Sequence, residues 1–448
     1  MSTFTAKRLP VQQGPAAWNA ILPAASPYPS LDGHLTADFV IVGAGFAGLS
    51  AARRLTQLQP GASIAVLEAS RIAEGASGRN SGFMIDLPHD LSSDDYAGSG
   101  VEADKAMIAL NRKAIAFAAG AVEDYGINGN YFDRAGKVNG AVSAAAQDHN
   151  RTYAEHLASL GEQYELFDQK QMHELSGSHH YTAGLYTPGT VMLQPAGYVR
   201  GLASGLSKQG VRVFENSPVT GFESNGDGWR VSTPRGAVST GKLIIAANGH
   251  LESFGFAKGR FMQLFLYASM TEELDAEAVR KLSGKPRWGI TPSDPMGTTM
   301  RRIDTGQGGN RIVTRTCATL KPGMNPTAAD VARAAAVHRR KFDQRFPQLA
   351  GMKQQYQWAG HLCLSLNGVA VMREIERNVF SACVQNGLGT ARGTLTGIGA
   401  AELACGESSD ITRYFTAEAE PKPLPPQPFA TIGANAFLRW KEWRAANE

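Results

Sequence analysis

The chain has 448 residues, of which 43% are hydrophobic and 19% charged, values typical of a folded protein with two or three domains. Its net charge of +4 is spread along the chain, which argues against binding to nucleic acid. No apolar leader or run of about 20 apolar residues occurs and the four cysteines form no CxxC pair, so we expect a cytoplasmic protein without a transmembrane segment, disulfide framework or metal ion.

The first third of the chain predicts an extended arm followed by a parallel α/β unit. Residues 1–33 are rich in proline, alanine and serine. A short β-branched run at 38–42 predicts a buried strand, and small and apolar residues at helical spacing predict a helix over 45–58. A second strand is predicted over 63–67 and ends at Glu68. This alternation is typical of a βαβ unit.

Strands and helices alternate again near the end of the chain, around a mixed middle. Further helices are predicted over 101–125, 153–160, 198–208, 328–345, 397–403 and 436–444, and further strands over 211–214, 229–231 and 242–247. We expect the helix over 328–345 to have a basic outer face. The pattern favours one nucleotide-binding domain interrupted by insertions over two domains in series.

The turn between the first strand and the first helix carries a glycine motif. Gly43, Gly45 and Gly48 form GxGxxG, and Glu68 follows about 20 residues later at a strand end. In a dinucleotide site, the three glycines permit a tight turn, backbone approach to pyrophosphate and close helix packing, while the acid accepts the ribose hydroxyls. A glycine-rich turn without a ligand is the alternative.

Residues 75–82 follow Glu68 closely and are rich in glycine, serine and asparagine. This segment resembles the loop that runs beside the FAD pyrophosphate and flavin ring in the D-amino-acid-oxidase-like FAD-dependent oxidoreductases, which include glycine, sarcosine and γ-glutamylputrescine oxidases. Backbone N–H groups and small side chains suit that position because they donate hydrogen bonds without bulk. A flexible surface loop is the alternative.

The resemblance covers most of the chain, and the arm and proline-rich tail are most similar to the γ-glutamylputrescine oxidase branch. It implies an α/β fold with a discontinuous Rossmann-like FAD-binding domain (1–95, 191–255 and 356–448) and a substrate-binding domain with a mixed β-sheet and helices (96–190 and 256–355). The residues it implies for FAD binding are Gly43, Gly45, Phe46, Ala47, Gly48, Glu68, Ala69, Ser70, Ser77, Arg79, Asn80, Ser81, Gly82, Val219, Ala247, Asn248, Gly249, Gly387, Gly389, Thr390, Gly393, Thr394, Leu395 and Thr396.

The chain also departs from the family's pattern. Ala391 and Arg392 stand where the last flavin loop of the family often has histidine and glycine. Val313 stands where monomeric sarcosine oxidases carry a lysine over the flavin; Arg315 and Lys321 are near it in sequence. Cys363 falls close to the position of covalent flavin attachment in those enzymes, but we expect non-covalent FAD, with Cys363 packed in the core.

The substrate-binding residues are less sharply defined. A guanidinium suits a substrate carboxylate, and the candidates are Arg301, Arg302, Arg392 and Arg79. Because Arg301 and Arg302 are adjacent on a predicted strand, only one of them can face a pocket. We also consider an aromatic lining by Tyr267, Trp288 and Trp358, although such residues more often pack in a core, and we expect His250 to be structural.

The resemblance implies an enzyme that oxidises the C–N bond of a small-molecule amine or amino acid. Hydride passes to flavin N5, the imine hydrolyses, and oxygen or another acceptor reoxidises the flavin. One alternative is a dehydrogenase of the same family that uses a quinone or protein acceptor, with a basic surface near Arg333, Arg339, Arg340 and Lys341 touching the partner or a membrane. The other is a non-catalytic flavin-binding redox sensor or scaffold.

Overall fold

The computed structural model describes residues 2–88, 100–294, 296–445 and 448. The strands are β1 Thr3–Thr5, β2 Gly33–Val42, β3 Ile64–Leu67, β4 Phe83–Met84, β5 Phe132–Asp133, β6 Lys137–Ala141, β7 Glu165–Asp168, β8 Ala183–Thr187, β9 Val191–Leu193, β10 Arg212–Phe214, β11 Gly221–Asn225, β12 Gly228–Ser232, β13 Gly236–Ile245, β14 Phe261–Thr271, β15 Trp288–Pro292, β16 Thr299–Ile303, β17 Arg311–Leu320, β18 Gln354–Ser365, β19 Val371–Glu376 and β20 Val379–Cys383. The α-helices are α1 Ala17–Ala20, α2 Phe46–Leu58, α3 Val101–Tyr125, α4 Ala144–Leu160, α5 Gln169–Ser176, α6 Pro195–Lys208, α7 Ala276–Leu282, α8 Ala328–Arg345, α9 Ala391–Cys405, α10 Asp410–Ala417 and α11 Phe429–Arg444.

The first large sheet has a parallel centre. Its order is β1-β11-β12-β13-β2-β3-β10, with β20 also pairing with β13 and β19 with β20. Strands β10, β3, β2, β13 and β20 run parallel to their neighbours in this centre. Val40 and Ile41 in β2 are fully buried, as expected for a strand that helices and other segments of the protein cover on both faces. This confirms the predicted α/β class with a Rossmann-like sheet.

The second large sheet is mixed and has the order β18-β14-β17-β16-β15-β6-β8-β7. Its neighbours are antiparallel except for β15 and β6. Strand β18 pairs with β14 along its length, so the predicted domain limit at residue 356 cuts a strand of this sheet. The predicted limit at 95/96 lies outside the described residues, and the domain limits as a whole stay predictions.

Helices α4, α6, α9 and α11 begin earlier in the structure than predicted. Helix α4 starts at Ala144 rather than 153, and α9 starts at Ala391 rather than 397. Gly387 and Gly389 lie in a loop as predicted, but Gly393 and Gly397 lie inside α9 and allow it to pack closely on α2. A Cβ on Gly397 would lie 2.1 Å from the carbonyl oxygen of Ala47 in α2, and one on Gly393 would lie 3.4 Å from Phe46 Cβ.

The prediction that α8 has a basic outer face is wrong for some of its basic residues, which are buried or form ion pairs. Lys341 is buried, and its Nζ donates to the backbone oxygen of Glu448 at 3.0 Å. Arg333 and Arg339 form ion pairs with Glu442 and with Asp343. The helix therefore uses its cations mainly to hold the protein together. Within the described part of the chain, no helix is long and apolar enough to cross a membrane.

Candidate functional site

A cavity is lined from both large sheets, where the carboxyl ends of β2 and β13 approach β14 and β18. Parallel α/β sheets bind ligands at this edge because helix N-termini and turn backbones face it. Nineteen of the residues predicted to hold FAD line the cavity: Gly43, Gly45, Phe46, Ala47, Glu68, Ala69, Ser70, Ser77, Arg79, Asn80, Ser81, Gly82, Val219, Ala247, Asn248, Gly387, Gly389, Thr390 and Gly393. The fold thus brings segments from the beginning, middle and end of the chain to one place.

The turn after β2 leaves a helix N-terminus open towards the cavity. Gly43 has φ +101°, and a Cβ there would lie 2.8 Å from the carbonyl oxygen of Ala246. Helix α2 begins after Gly45 without a side-chain cap and without an acid in its first turn. Its first N–H groups therefore have no partner within the helix, and the positive end of its dipole is not neutralised. This arrangement fits a pyrophosphate group.

Glu68 is held at the end of β3 by backbone N–H groups. Its Oε2 accepts from the N–H of Ala44 at 2.9 Å, and its Oε1 accepts from the N–H of Ser70 at 3.1 Å. Burial raises the pKa of the Glu68 carboxyl, against the lowering effect of these hydrogen bonds. Oε1 also accepts from the Ser70 hydroxyl at 3.3 Å, whereas Oε2 keeps a further lone pair for a hydroxyl donor, so Glu68 suits a ribose.

The loop after Glu68 is fixed by its own side chains. Asn80 Nδ2 donates to the carbonyl oxygen of Ser77 at 2.6 Å, and Asn80 Oδ1 accepts from the N–H of Gly82 at 2.8 Å. The indole of Trp18, in the N-terminal arm, donates to the carbonyl oxygen of Asn80 at 2.8 Å. The loop is therefore an ordered part of the cavity wall and not a free surface loop.

Five residues predicted to bind FAD lie outside the cavity wall: Gly48, Gly249, Thr394, Leu395 and Thr396. Gly48 packs α2 on the preceding turn, since a Cβ there would lie 1.8 Å from the carbonyl oxygen of Gly43. The last three lie inside α9, because that helix starts earlier than predicted. Thr396 acts through Gln385, a wall residue that the sequence did not single out, by donating to its Oε1 at 3.1 Å.

The four arginines predicted to bind substrate form hydrogen bonds or ion pairs with other parts of the protein. Arg79 borders the cavity, but it donates to the carbonyl oxygens of Glu74 at 2.6 Å, Gln13 at 3.1 Å and Ala359 at 3.2 Å. Desolvation lowers the pKa of Arg79 to about 10. Arg79 therefore ties the loop to the arm and to β18.

Arg301 and Arg302 lie on β16, are buried and do not line the cavity, although Arg301 lies directly behind its wall. Arg301 donates to the carbonyl oxygen of Ser81 at 3.1 Å, and its guanidinium lies 4.9 Å from the ring centroid of Trp18. Desolvation lowers the pKa of Arg301 to about 9. Arg302 donates to the carbonyl oxygen of Ser283. Neither side chain is placed to bind a ligand in the cavity.

Arg392 lies in the first turn of α9 and forms an ion pair with Glu418. Both side chains are largely buried, and the guanidinium lies 5.4 Å from the ring centroid of Phe415. The arginine that replaces the family's glycine therefore fastens α9 to the segment after α10. It does not line the cavity.

Arg315 on β17 is the arginine of the second sheet that lines the cavity. Its Nε lies 3.4 Å from Ser81 Oγ. Val313 is two residues earlier on the same face of the strand and is buried in the apolar core. Arg315 was noted in the sequence as a neighbour of Val313 but was not among the predicted substrate-binding residues. Its spacing of two residues from Val313, which puts both on one face of a strand, could have identified it.

The rest of the wall on this side is mainly apolar, with Phe265, Leu266, Ala268 and Met324 among its residues. Of the three predicted aromatic residues, Tyr267 borders the cavity. Trp288 packs in a separate core beside Phe346, and Trp358 is buried with its indole donating to the carbonyl oxygen of Arg79. These two tryptophans are core residues because their strands turn them away from the cavity.

The N-terminal arm also forms part of the wall, at residues 8–12. It is attached by backbone hydrogen bonds from Lys7 N–H to the carbonyl oxygen of Ser253 and from Ala359 N–H to that of Gln13. The sequence predicted an extended arm but gave no signal for its position, because the arm has no periodic pattern and its partners are distant in sequence.

His250 and His361 lie on the wall near Cys363. Burial lowers the pKa of His250 to about 4 and that of His361 to about 3, so both imidazoles are neutral near pH 7. His361 Nε2 is 2.9 Å from Gln263 Oε1, and His250 Nδ1 is 3.3 Å from Ser253 Oγ. These contacts agree with a structural role for His250.

Lys137 lies behind the wall and was not predicted as a site residue. Its Nζ donates to Asn139 Oδ1 and lies 3.4 Å from Thr291 Oγ1, and Thr291 lines the cavity. Desolvation lowers the pKa of Lys137 to about 8, partly opposed by Asp86. A buried amine that exchanges its proton near neutral pH thus lies one side chain away from the cavity.

Lys137→Met is expected to change how stability depends on pH. Below about pH 8, Lys137 is charged in both the folded and the unfolded protein. Burial of this charge then lowers the free energy of unfolding. Between about pH 8 and the usual pKa near 10.5, the folded state loses the proton first, so wild type gains stability relative to the variant by up to ~3 kcal/mol. Urea unfolding of both proteins at several pH values measures the difference. Lys170→Met, at an exposed position, is the control, and a difference independent of pH would contradict the assignment.

Comparison with known proteins agrees with the geometry of the cavity. Residues 38–403 match the family described as "DAO: FAD dependent oxidoreductase". The chain is 25% identical over 423 residues to the gamma-glutamylputrescine oxidoreductase of Escherichia coli, covering 91% of this chain and 94% of that one. It is 24% identical over 412 residues to the probable oxidoreductase OrdL of Rhizobium meliloti, covering 90% and 91%.

Solved structures show the same fold. Glycine oxidase from Geobacillus kaustophilus superposes with a TM-score of 0.70 at 17% identity, covering 86% of this chain and 100% of that one. L-Amino acid deaminase from Proteus myxofaciens gives a TM-score of 0.68 at 15% identity, covering 90% and 96%. The family match spans most of the chain and includes both the turn after β2 and the start of α9. The chain belongs to the DAO family of FAD-dependent oxidoreductases.

Proposed function

We propose that this enzyme oxidises the C–N bond of a small amine or amino acid that carries a carboxylate. The observation that carries the proposal is Arg315, which lines the mainly apolar side of a cavity whose other side fits a dinucleotide. A guanidinium there can bind a carboxylate through paired hydrogen bonds. Gamma-glutamylputrescine oxidoreductase and glycine oxidase, which this chain resembles, are named for an amine and an amino acid.

The proposed FAD site consists of the nineteen wall residues given above. The open N-terminus of α2 would hold the pyrophosphate, Glu68 the ribose, and the start of α9 the flavin side. Helix α9 also begins without a side-chain cap or an acid in its first turn, since Thr390 Oγ1 donates to the carbonyl oxygen of Phe83. When bound, FAD supplies a two-electron acceptor for the C–H bond next to the substrate nitrogen.

The chain's own residues orient the substrate and exclude water. Arg315 binds the carboxylate, while Leu266 and Ala268, which lie on one face of β14, present apolar surface to the carbon skeleton. The nearby imidazoles of His250 and His361 are neutral and supply no strong base. We therefore expect the substrate to react as its neutral amine, and the imine product to hydrolyse in water.

Anaerobic mixing of the holoenzyme with candidate substrates tests the proposal. The panel consists of N-methyl amino acids, D-amino acids, γ-glutamyl amines and secondary amines, each paired with an analogue that lacks the carboxylate. Loss of the oxidised flavin absorbance with a carboxylate-bearing amine, and much slower loss with its analogue, is the expected result. If no amine bleaches the flavin, the proposal fails and a non-catalytic flavin-binding role gains support.

A dehydrogenase that uses a quinone or protein acceptor is a second candidate. It is favoured by Val313, which is buried in the apolar core where monomeric sarcosine oxidases carry a lysine that helps to activate oxygen. Admitting air to the substrate-reduced enzyme separates the two functions. Rapid return of the flavin absorbance together with peroxide indicates an oxidase, whereas slow return that a quinone analogue accelerates indicates a dehydrogenase.

We also propose that FAD is bound non-covalently. Cys363 lines the cavity but is fully buried in an apolar core, and burial raises the pKa of its thiol well above the usual range. Acid denaturation of the holoenzyme is expected to release all flavin, and Cys363→Ala is expected to keep the wild-type flavin content. Cys317→Ala, in a separate core, is the control. Flavin that stays with the denatured wild type but not with Cys363→Ala would show a covalent link.

A further inference from the structure

Helix α11, Phe429–Arg444, presents an apolar row to the outside of the protein. Its members Phe429, Ile432, Phe437, Trp440 and Trp443 have side chains between 46% and 76% exposed. They are spaced three, five, three and three residues apart, which at 3.6 residues per turn places them within an arc of about 140° on one side of the helix. An apolar row of this kind normally packs against a hydrophobic core. Its exposure on the outside indicates a surface that binds another molecule or a membrane.

The opposite, polar face of α11 is turned inward for a structural reason. Strand β16 pairs with β17 only as far as Arg315, so the following backbone of β17 lacks a strand on that side within the described chain. Asn435 Oδ1 accepts from the N–H of Leu320, and Glu442 Oε1 accepts from that of Ala318, both at 2.9 Å. These side chains complete the strand's hydrogen bonds, which commits the apolar face to the outside.

The charges on α11 fit an anionic partner. The helix contains one acid, Glu442, and it faces inward between Arg333 and Arg439. The cations Lys441 and Arg444 lie beside the apolar row, with Lys441 Nζ 6.0 Å and Arg444 Cζ 5.7 Å from the ring centroid of Trp440. Tryptophan rings flanked by cations are typical of helices that lie in the headgroup region of a membrane.

A second copy of the chain accounts for this apolar face less well than a lipid surface does. A 16-residue helix is about 24 Å long and about 10 Å wide, so its outer face offers about 240 Å². A stable protein interface buries about 800 Å² on each partner. The row has the extent that an interfacial helix needs in a lipid surface, where the apolar side chains enter the bilayer by about 5–10 Å.

We propose that the outer face of α11 docks this enzyme on the surface of an anionic lipid bilayer. The helix would lie in the interface and not span it. The N-terminal arm is held close by, because Arg8 donates to the carbonyl oxygen of Pro322 at 2.9 Å and the N–H of Leu320 is bound by α11. Docking would therefore bring the arm side of the cavity near the lipid surface.

Flotation of the holoenzyme with lipid vesicles tests the docking. Vesicles of equal parts phosphatidylcholine and phosphatidylglycerol are expected to carry wild type upward, and phosphatidylcholine alone much less. Trp440→Ser combined with Trp443→Ser is expected to lower the floated fraction about ten-fold or more, because the aromatic anchors are lost. Lys441→Gln with Arg444→Gln is expected to remove the preference for phosphatidylglycerol.

Leu166→Ser is the matched control, since it removes another exposed apolar side chain, on β7, and is expected to float like wild type. Flavin content and thermal unfolding show that each variant is folded. The proposal is overturned if wild type floats with neither vesicle, or if the tryptophan variant floats as well as wild type. It is also overturned if sedimentation shows a dimer that dissociates in the tryptophan variant, which would assign the face to a second copy.

Discussion

Gly45→Asp is expected to abolish FAD binding while leaving the fold of the apoprotein intact. Gly45 has extended φ and ψ, and a Cβ there meets nothing closer than 3.7 Å, so a side chain fits. The new carboxylate would cap the open N–H groups of α2 and raise stability by a few tenths of a kcal/mol. It would also put a negative charge where the pyrophosphate is proposed to bind, and we expect at least about a 100-fold loss in FAD affinity.

Fluorescence titration of the apoprotein with FAD and thermal unfolding measure the two effects separately. Gly48→Ala is the matched comparison, because its Cβ would lie 1.8 Å from the backbone oxygen of Gly43. That change is expected to lower the free energy of unfolding of the apoprotein, by about 1–3 kcal/mol. Wild-type FAD affinity in Gly45→Asp would remove the turn after β2 from the proposed cofactor site.

Arg315→Met is expected to lower kcat/KM for a carboxylate-bearing amine by about 100-fold. The reason is the loss of a charge-assisted, paired hydrogen bond in a mainly apolar pocket, which is worth about 1.5–3 kcal/mol. Arg315→Lys is expected to recover only part of the activity, since an ammonium cannot form the paired contact. Activity towards the analogue without a carboxylate is expected to change little in both variants.

Steady-state rates with each member of the substrate pair measure the effect, and flavin content shows that the cofactor site is intact. Arg340→Met, at an exposed position on α8, serves as the control. If Arg315→Met lowers the rates for both members of the pair equally, the arginine does not recognise the carboxylate. Its contact with Ser81 would then support a role in holding the loop beside the cavity.

Features that depend on local chain chemistry could be predicted from the amino-acid sequence alone. Only glycine permits the φ of +101° at Gly43, and the strand, turn and helix around it are adjacent in sequence, so the motif is complete within one segment. Glu68 could also be predicted, because it lies at the end of the next strand along the chain. The order of the later glycine segments carried the family prediction.

The roles of the arginines and glycines around the cavity depend on contacts between segments that are distant in sequence, so they could not be predicted from the sequence. The sequence offered four arginines, but Arg301 and Arg392 are used by distant partners, the backbone of Ser81 and the side chain of Glu418. The glycines of α9 looked like a loop because their helix partner, α2, is far away in the chain. The outward apolar face of α11 likewise depends on the unpaired edge of β17, which no pattern within residues 429–444 reveals. Local chemistry determines the glycine turn after β2, whereas long-range pairing determines which side chains remain available for the proposed contacts with substrate and membrane.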